Sequence, residues 1–457
     1  MSHWRLVLGL SVILIPTSLA RAETISSALA RAYLNNPDLN SQRAAVRAAD
    51  EGIPLAEAAG RPTVSGALTG GAQNNLTKTQ SVLPFTRTNT FPRTVGVTVN
   101  QTLWNGNRVG NGISQAESKM LAARETMRND EQAVLLNGAT QYMNVLRDSA
   151  ILNLDTNNIK VLQQQLRQTT DQFKVGQLTQ TDVAQAQSSL AQARTTFFVA
   201  QSNLEADIAN YRAVIGTQPR KLAPAKPLLQ LVPHTLGQAI AMSQAENPLI
   251  QAMLHGVDAA ALQVKIAEGA LYPTVSVAGS LSHSWDFQTF PGSQANTASI
   301  IGQISVPIYD GGSAEASTRG AKETLAQQRL QVDLQRVNVR AAVITAWGQV
   351  TSAREAIISS IAAVKAAETA LRGVREEAKV GQRTTLDVLN AKQVLLNARV
   401  ALVSAQHDYV VSTYSLVAAT GRLSATNLHL HAPIYDANVH YRQVKDKWFG
   451  LRTPDGR

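Results

Sequence analysis

The 457-residue chain contains no cysteine, and this absence removes two ways of holding or anchoring a protein. Without thiols there can be no disulfide framework. An N-terminal lipid-modified cysteine is excluded for the same reason. Methionine is also scarce, with six residues in the whole chain, so the sequence offers few soft sulfur ligands for metal ions.

Long apolar runs are lacking outside the N-terminus. There, a basic residue precedes the apolar run Leu6–Ile15, and the small residues Ala20 and Ala22 follow. This pattern predicts a secretory signal peptide over residues 1–22, cleaved before Glu23, with an uncleaved anchor as the alternative. The run is shorter than the roughly 20 residues of a transmembrane helix. A mature protein within a membrane would then have to be a closed β-barrel, which also satisfies every backbone polar group in lipid.

Clustered positive charge is missing, although the formal net charge is +10. No run of five or more basic residues occurs, whereas nucleic-acid-binding proteins concentrate Lys and Arg in a patch or stripe. We therefore expect no nucleic-acid partner.

Motifs of catalysis are missing as well. None of the eight histidines belongs to a two-histidine helical metal motif, and neither a phosphate-binding loop nor a nucleophile elbow occurs. The glycine-rich segment Asn105–Gly112 lacks the lysine of a phosphate loop and is interpreted as a strand-to-helix turn. The sequence predicts a protein that is not an enzyme and has no catalytic residues, metal site or cofactor.

What the chain does contain is an internal duplication. Two pairs of motifs lie 211 residues apart: Asn36-Pro37 with Asn247-Pro248, and Pro62–Ser65 with Pro273–Ser276. Three further pairs lie 205 residues apart: Trp104–Gly106 with Tyr309–Gly311, Lys174–Gln177 with Lys379–Gln382, and Ala193-Arg194 with Ala398-Arg399. The change of spacing places a length difference between positions 66 and 104, which predicts a surface loop.

The duplication predicts two equivalent repeats, over residues 23–218 and 234–421. A proline-rich linker at 219–233 joins them, and a C-terminal tail at 422–457 follows. In the first repeat, a short helix near residues 24–35 and a second helix up to Arg61 are expected; each repeat then continues with two strands, a long helix and a shorter helix. The long helices would have about 67 residues, or about 100 Å at 1.5 Å per residue. Only a coiled coil or a similar assembly sustains a helix of that length.

The predicted strands alternate apolar with small polar residues. Val95, Val97 and Val99 point one way, and the residues between them point the other, as in a barrel wall with lipid on one side. Soluble β-hairpins alternate in the same way, so this pattern alone leaves both open. Aromatic residues cluster at the strand ends, where a membrane-interface belt would lie: Phe85, Phe91, Trp104, Tyr272, Trp285, Phe287, Phe290 and Tyr309.

The shorter helix at the end of the second repeat carries two apolar seams, each with a seven-residue period. One seam is Leu389, Leu396, Val403, Val410 and Val417, and the other is Val388, Leu395, Leu402, Tyr409 and Leu416. One seam serves one partner helix, so two adjacent seams predict a helix that packs on both sides. A ring of helices has this property, and a stand-alone bundle with a broad core face is the alternative. Because a barrel needs about eight strands, several copies must pool theirs; two or three copies both satisfy this count.

The turns Val175–Thr179 and Val380–Thr384 resemble those of the TolC family of outer-membrane efflux and secretion channels. The most specific stretch is Val380–Ala391, and the resemblance extends over the mature chain to about residue 430. It implies a mostly α-helical fold with a membrane β-barrel. In such a homotrimer, four strands per chain form a twelve-stranded barrel in the outer membrane, and a twelve-helix coiled-coil tunnel crosses the periplasm.

The resemblance also implies a function and partners. Such channels export small toxic compounds and/or carry out type I protein secretion, together with a periplasmic adaptor and an inner-membrane pump. The pump is either a drug exporter or an ATP-driven secretion machine. A periplasmic coiled-coil adaptor is the alternative, although the duplicated plan and the aromatic-flanked strands argue against it. A metal-specific exporter is disfavoured by the scarcity of sulfur ligands.

Finally, the resemblance implies an aperture at the inner end of the tunnel. Asp387 matches the family's constriction aspartate, and Asn390 stands where some members carry a second one. Arg383 matches the arginine of a latch whose polar partners correspond to Thr181 and Asp182. A simpler interpretation is that Asp182 and Asp387 are helix N-terminal acids that interact favourably with the helix dipole.

Two further features follow from the same comparison of motifs. Ala378 replaces a tyrosine that can join the latch, which implies a weaker tie. The hairpin turns at Val175-Gly176 and Val380-Gly381 are the expected contacts with adaptor or pump.

Overall fold

The computed structural model describes residues 22–77, 86–287 and 291–456. The predicted signal peptide, apart from its last residue, lies outside the described residues, as do Phe85 and Phe290. The first half of the chain forms α1 (Ile25–Asn35), α2 (Pro37–Asp50), α3 (Gly52–Ala58), β1 (Thr63–Gly70), β2 (Gln73–Thr77), β3 (Thr86–Thr90), β4 (Arg93–Trp104), α4 (Arg108–Lys174) and α5 (Gln180–Ile215).

The second half follows the same order, except that its described residues include no counterparts of α3, β2 and β3 and that it ends with an additional helix. It forms α6 (Leu236–Glu246), α7 (Pro248–Glu268), a 3₁₀ turn (Gly269–Leu271), β5 (Thr274–Trp285), β6 (Gln294–Ser305), α8 (Ser313–Lys379), α9 (Thr385–Ala419) and α10 (Ala437–Val444). Helices α4 and α8 have 67 residues each, as predicted. Among the described residues, no helix combines the length and the hydrophobicity that crossing a bilayer requires.

The recurring Asn-Pro pair starts a helix in each half. Asn36 is the N-cap of α2, and its side-chain oxygen accepts hydrogen bonds from the amides of Asp38 and Leu39 at 2.9 and 3.2 Å. Asn247 accepts in the same way from the amide of Leu249 at 3.0 Å. Proline follows in the first helical position, where its missing N–H has no partner to lose. The conformational demands of a helix start explain this repeated motif.

The single helix expected up to Arg61 is in fact two. Helix α2 ends at Asp50 and α3 begins at Gly52. Pro54 lacks the amide that would bond the carbonyl of Asp50, and its ring crowds that carbonyl, so a continuous helix is disfavoured at this point.

Four strands form an antiparallel sheet in the order β1-β4-β5-β6. Among the described residues, β1 pairs with β4 alone and β6 with β5 alone, so each has one unpaired edge. A second, two-stranded sheet of β2 and β3 lies between β1 and β4 in sequence. It occupies the position of the predicted length difference, where the second half has a short connection between β5 and β6.

The chain divides into two compact units. One comprises the described residues up to 32 with 137–227 and 356–411, and thus the hairpin ends of the long helices. The other comprises 33–136, 228–355 and the described residues from 412 onward, and it contains both sheets.

In the first unit, the two seams of α9 bury against different partners. Leu389 clusters with Leu162 of α4 and Leu190 of α5. Leu395 clusters with Ala367 and Leu371 of α8. The prediction of a helix that packs on both sides is therefore confirmed.

In the second unit, the core brings together the two ends of the second repeat. Ile250 of α7, Val343 of α8 and Leu416 of α9 are fully buried in one cluster. The tail also packs here: α10 lies against α2, where the buried carboxylate of Asp50 contacts His440 Nδ1 at 2.9 Å and Arg124 at 3.5 Å. The sequence had left this tail without an assignment.

The duplicated strand-to-helix turns offer a matched pair of substitutions. Gly106 and Gly311 both have left-handed φ, +67° and +75°. A Cβ atom at Gly106 would lie 2.3 Å from the Gly269 carbonyl oxygen, whereas at Gly311 it would meet no described atom within 4 Å. We expect Gly311→Ala to lower the free energy of unfolding by about 1–2 kcal/mol through backbone strain. Gly106→Ala should lower the free energy of unfolding clearly more, because the Gly269 carbonyl must also move.

Denaturant titration of both variants in detergent, followed by circular dichroism, measures this difference. Equal losses at the two positions would contradict the role of the close contact at Gly106.

Candidate functional site

The first helical hairpin turns at a glycine. Helix α4 ends at Lys174, and Gly176 adopts a left-handed φ of +76°, which a residue without Cβ reaches at little cost. The amide of Gly176 donates to the Phe173 carbonyl at 2.9 Å, and that of Gln177 to the Gln172 carbonyl at 2.9 Å. These bonds satisfy carbonyl groups that the end of a helix would otherwise leave unpaired.

The second hairpin repeats the same turn. Gly381 has a φ of +78°, and its amide donates to the Ala378 carbonyl at 3.2 Å. The amide of Gln382 donates to the Glu377 carbonyl at 2.9 Å. In each turn the valine before the glycine, Val175 or Val380, is largely exposed. Each hairpin end therefore presents one apolar side chain to its surroundings.

A capping box begins the helix after each turn. The Asp182 carboxylate accepts from the amide and hydroxyl of Thr179 at 2.9 and 2.7 Å, and the Thr179 hydroxyl accepts from the Asp182 amide at 3.3 Å. Asp387 and Thr384 form the same three bonds at 2.9, 2.9 and 3.2 Å. The interpretation as helix N-terminal acids is thus correct within a single chain.

These bonds also set the charge of the two carboxyl groups. Hydrogen bonds from the Thr179 side chain and amide lower the pKa of Asp182 below its ordinary value. Those from the Thr384 amide and side chain lower the pKa of Asp387, with a smaller contribution from Arg383. A bond that favours the charged form keeps it charged to lower pH. Both carboxylates are therefore negative at neutral pH.

Arg383 is bound within its own chain. Its Nε donates to Glu377 Oε2 at 2.8 Å across the turn, and both side chains are about half exposed. Asp182 is engaged by Thr179 instead, so one chain does not bring Arg383 to Asp182. Thr181 and Asn390 are exposed. A latch between these residues therefore stays a prediction that needs a second copy of the chain.

The two hairpins are held together close to their turns. Besides the cluster around Leu389, Lys392 Nζ of α9 donates to Gln165 Oε1 of α4 at 2.9 Å. Burial lowers the pKa of Lys392 to about 8, so this amine is less fully charged than a free lysine. The exposed ends of both hairpins consequently lie on the same side of the unit.

Sequence reasoning missed Glu377, Thr179 and Thr384. The two threonines could have been found, because Thr-x-x-Asp before an apolar stretch is a capping-box signal. Glu377 had no such signal. Within the described ranges, no group of three or more His, Cys, Asp or Glu residues is arranged to hold a metal ion.

The chain is similar to known outer-membrane proteins over nearly its whole length. The family described as "Outer membrane efflux protein" matches residues 28–217 and 239–422. The outer membrane efflux protein BepC of Brucella suis biovar 1 (strain 1330) is 40% identical over 438 residues, which cover 96% of this chain and 94% of BepC. The outer membrane protein TolC of Escherichia coli (strain K12) is 25% identical, over 90% of this chain and 85% of TolC.

A solved structure shows the same fold. The Campylobacter jejuni CmeC outer membrane channel superimposes with a TM-score of 0.76 at 18% identity, covering 92% of this chain and 89% of CmeC. The fold, with its paired long-helix hairpins, is thus that of TolC-like outer-membrane channels. The family match over both halves and the similarity to BepC show that the chain belongs to the outer membrane efflux protein family. It is an export protein of the outer membrane, in a family of transport proteins rather than enzymes.

The capping boxes generate a prediction about the turns. Thr179→Ala removes two of the three bonds of its box, and losing such a cap costs about 1 kcal/mol. We expect the first-turn amides of α5 to exchange hydrogen roughly fivefold faster, with no change in α9. Below pH 4 the wild-type turn should approach the variant, because a carboxylate with a lowered pKa stabilises only above its folded pKa.

Hydrogen exchange measured by mass spectrometry reports both turns at once. Thr384→Ala is the matched control, since it should loosen α9 and leave α5 unchanged. Equal exchange in wild type and Thr179→Ala would show that the box does not hold this turn.

Proposed function

We propose that three copies of the chain assemble into one export channel by pairing the free edges of their sheets. The edges of β1 and β6 that have no partner strand among the described residues carry this proposal. Strands alternate in direction from β1 to β6, so β6 of one copy and β1 of the next are antiparallel and continue the same ladder. Every exposed backbone edge is satisfied when such a ring closes.

Three copies are proposed rather than two because an export channel needs an open interior. Two copies would supply eight strands, and an eight-stranded barrel has an interior that side chains fill. Three copies supply twelve strands, four from each, which leave room for a conduit. The exposed apolar side chains Val95, Val97 and Val99, which share one face of β4, support burial of that face in lipid.

The substrates and partners belong to the same proposal. BepC is named an efflux protein, and we infer that this chain likewise exports small toxic compounds, with type I protein secretion as a second use of the conduit. A periplasmic adaptor and an inner-membrane pump would engage the hairpin ends, where Val175 and Val380 are exposed beside Gly176 and Gly381. The alternative of a periplasmic adaptor is not favoured, because the family match includes both halves.

The gate lies at the hairpin ends in this proposal. In a threefold ring, one Asp387 from each copy would converge on a narrow mouth, with Asn390 one turn further along α9. The bonds from Thr384 hold each carboxylate charged, so the mouth would be an acidic ring that attracts cations. Like charges brought together raise one another's pKa, which these bonds oppose.

The latch would depend on additional partners for the Arg383 guanidinium. A guanidinium has five donors, so Arg383 can bond Glu377 through Nε and still offer its terminal nitrogens to Thr181 and Asp182 of a neighbouring copy. Ion pairs between exposed groups are weak, and the threefold repetition would hold a closed state that remains easy to open.

Loss of the latch should open the channel. We expect Arg383→Ser combined with Asp182→Ala to raise the single-channel conductance in planar lipid bilayers several-fold over the wild type. Arg399→Ser is the matched control, because Arg399 makes a similar half-exposed bond to Glu368 on the same hairpin at 2.8 Å. An unchanged conductance in the double variant would reject the latch, and the absence of any conductance in the wild type would reject the channel.

The acidic ring should make the channel sensitive to multivalent cations. We expect wild-type current to be blocked by trivalent cations added on the hairpin side, and Asp387→Ala to abolish the block. Asp171→Ala serves as control, since Asp171 is an exposed acid near the first turn that the proposal leaves outside the mouth. Block that persists without Asp387 would rule out the ring.

A further inference from the structure

The C-terminal tail is fastened to the first repeat through arginine side chains that face aromatic rings. Arg43 lies between Tyr33 and Tyr435, with its guanidinium carbon 4.4 and 5.5 Å from the ring centroids. Arg124 lies 5.6 Å from the ring of Tyr441. Such contacts are attractive because the face of an aromatic ring carries partial negative charge. They lead the tail along α2 towards the sheet.

The last of these contacts places the tail at one end of the strands of the sheet. Arg61, two residues before β1, lies 4.7 Å from the ring of Trp448 and donates from Nη1 to the Lys447 carbonyl at 2.9 Å. Gln101 of β4 donates to the carbonyl of Gly60 at 2.5 Å, which ties this segment to the sheet. Trp448 is therefore held beside the end of the sheet from which β1 starts.

That end of the sheet carries exposed aromatic residues. Trp104 ends β4, Tyr272 precedes β5 and Tyr309 follows β6, so all three lie at the same end of the strands. Each is exposed, and the rings of Trp104 and Tyr272 meet edge to face at 6.3 Å. Trp and Tyr concentrate where a membrane-spanning segment leaves the hydrocarbon and enters the headgroup layer. Trp448 of the tail adds a further aromatic residue beside this end of the sheet.

The end of the tail presents apolar side chains without burying them. Trp448 is 66% exposed, Phe449 is 90% exposed and Leu451 is fully exposed. Gly450 between them has a φ of +111°, and Lys447 Nζ donates to the Arg452 carbonyl at 2.6 Å, which closes a short loop around the glycine. Three large apolar groups on one short loop are costly in water.

The polar groups of this loop suit a headgroup layer. Lys445, Lys447 and Arg452 flank the apolar residues in sequence, and Asp446 and Asp455 are the acidic groups of the described tail end, which leaves one net positive charge. The excess of positive charge favours the anionic phosphates of lipids. Aromatic and aliphatic side chains flanked by Lys and Arg are typical of segments that lie in a membrane interface.

We propose that the loop Trp448–Leu451 inserts into the headgroup region of the lipid bilayer beside the sheet and anchors the tail to the membrane. This inference rests on the outer-membrane channel described above and adds to it a second lipid contact, outside the strands. A lipid surface is favoured over a protein partner for two reasons. The loop lies beside the end of the sheet that carries the exposed aromatic residues, and basic residues flank the loop.

The absence of cysteine makes a direct test clean. Full-length protein with the single change Phe449→Cys is labelled with an environment-sensitive nitrobenzoxadiazole dye. It is then reconstituted in vesicles of phosphatidylethanolamine and phosphatidylglycerol, with or without brominated acyl chains. We expect the emission to shift to the blue and to lose most of its intensity with brominated lipid. The same label at exposed Ser202 on α5 should show neither effect.

Labels at Ile300→Cys and Ile301→Cys separate the two levels of the proposal, because neighbouring strand residues point to opposite faces. Quenching at one of them shows that the sheet is in lipid. If neither is quenched, the channel proposal and this inference both fail. If one is quenched but Phe449→Cys is not, only the inference fails. A blue shift at Phe449→Cys without quenching by bromine would mean that protein covers the loop, which also overturns it.

A second variant tests the contribution of the neighbouring apolar groups. Adding Trp448→Ser and Leu451→Ser to the labelled protein should restore most of the emission in brominated vesicles while quenching at the sheet position is unchanged. Undiminished quenching in this background would show that the loop is near lipid for reasons other than its own side chains.

Discussion

The backbone hydrogen bonds of the sheet impose the constraint on which the rest of the structure depends. In the part of the chain that the structure describes, β1 and β6 each have a hydrogen-bonded partner strand along only one of their two edges. Unpaired N–H and C=O groups are tolerated in water but are costly in a lipid environment. The chain belongs to an outer-membrane family, and in the assembly proposed above another copy of the chain completes its sheet. Assembly would in this sense be a condition of the fold rather than an addition to it.

The packing of the long helices also suits assembly from several copies. Helix α9 buries Leu389 against the first hairpin and Leu395 against α8, so its two seams serve two neighbours within one chain. Packing on both sides is what allows helices to be arranged in a row and to continue from one copy to the next. Because of the duplication, one chain contains two helical hairpins. Each hairpin has the same glycine turn and the same capping box.

Local features of the fold could be predicted from the sequence because each follows from a short-range rule. The Asn-Pro helix starts, the glycine turns and the seams of α9 depend on residues close in sequence. The break at Pro54 and the β2–β3 hairpin were missed. In the first case the proline was overlooked within a helical pattern, and in the second the polar strands lack an apolar period. Long-range partners had no signal, and the contacts of Arg61 and Arg124 with the tail could be found only in the structure.

The candidate gate shows the same division. The positions of Asp182 and Asp387 were predictable from the turn motifs, but their bonding was only partly so. Within one chain both carboxylates are occupied by threonine, and Arg383 is occupied by Glu377. A closed latch would therefore be built on groups that already have partners, and its formation would replace or share existing bonds. In the proposed channel, this replacement or sharing of bonds would keep the free energy of the closed state close to that of the open state.

One asymmetry between the repeats sets the symmetry of the strand connections. The first repeat extends its strand connection by the β2–β3 hairpin, whereas the second joins β5 to β6 over a few residues. In the assembly that we propose, the helices would repeat six times around the axis, but these extensions would occur only three times. A molecule that recognises the hairpin from outside would accordingly bind with a stoichiometry of three per channel, or of one if it contacts all three extensions at once.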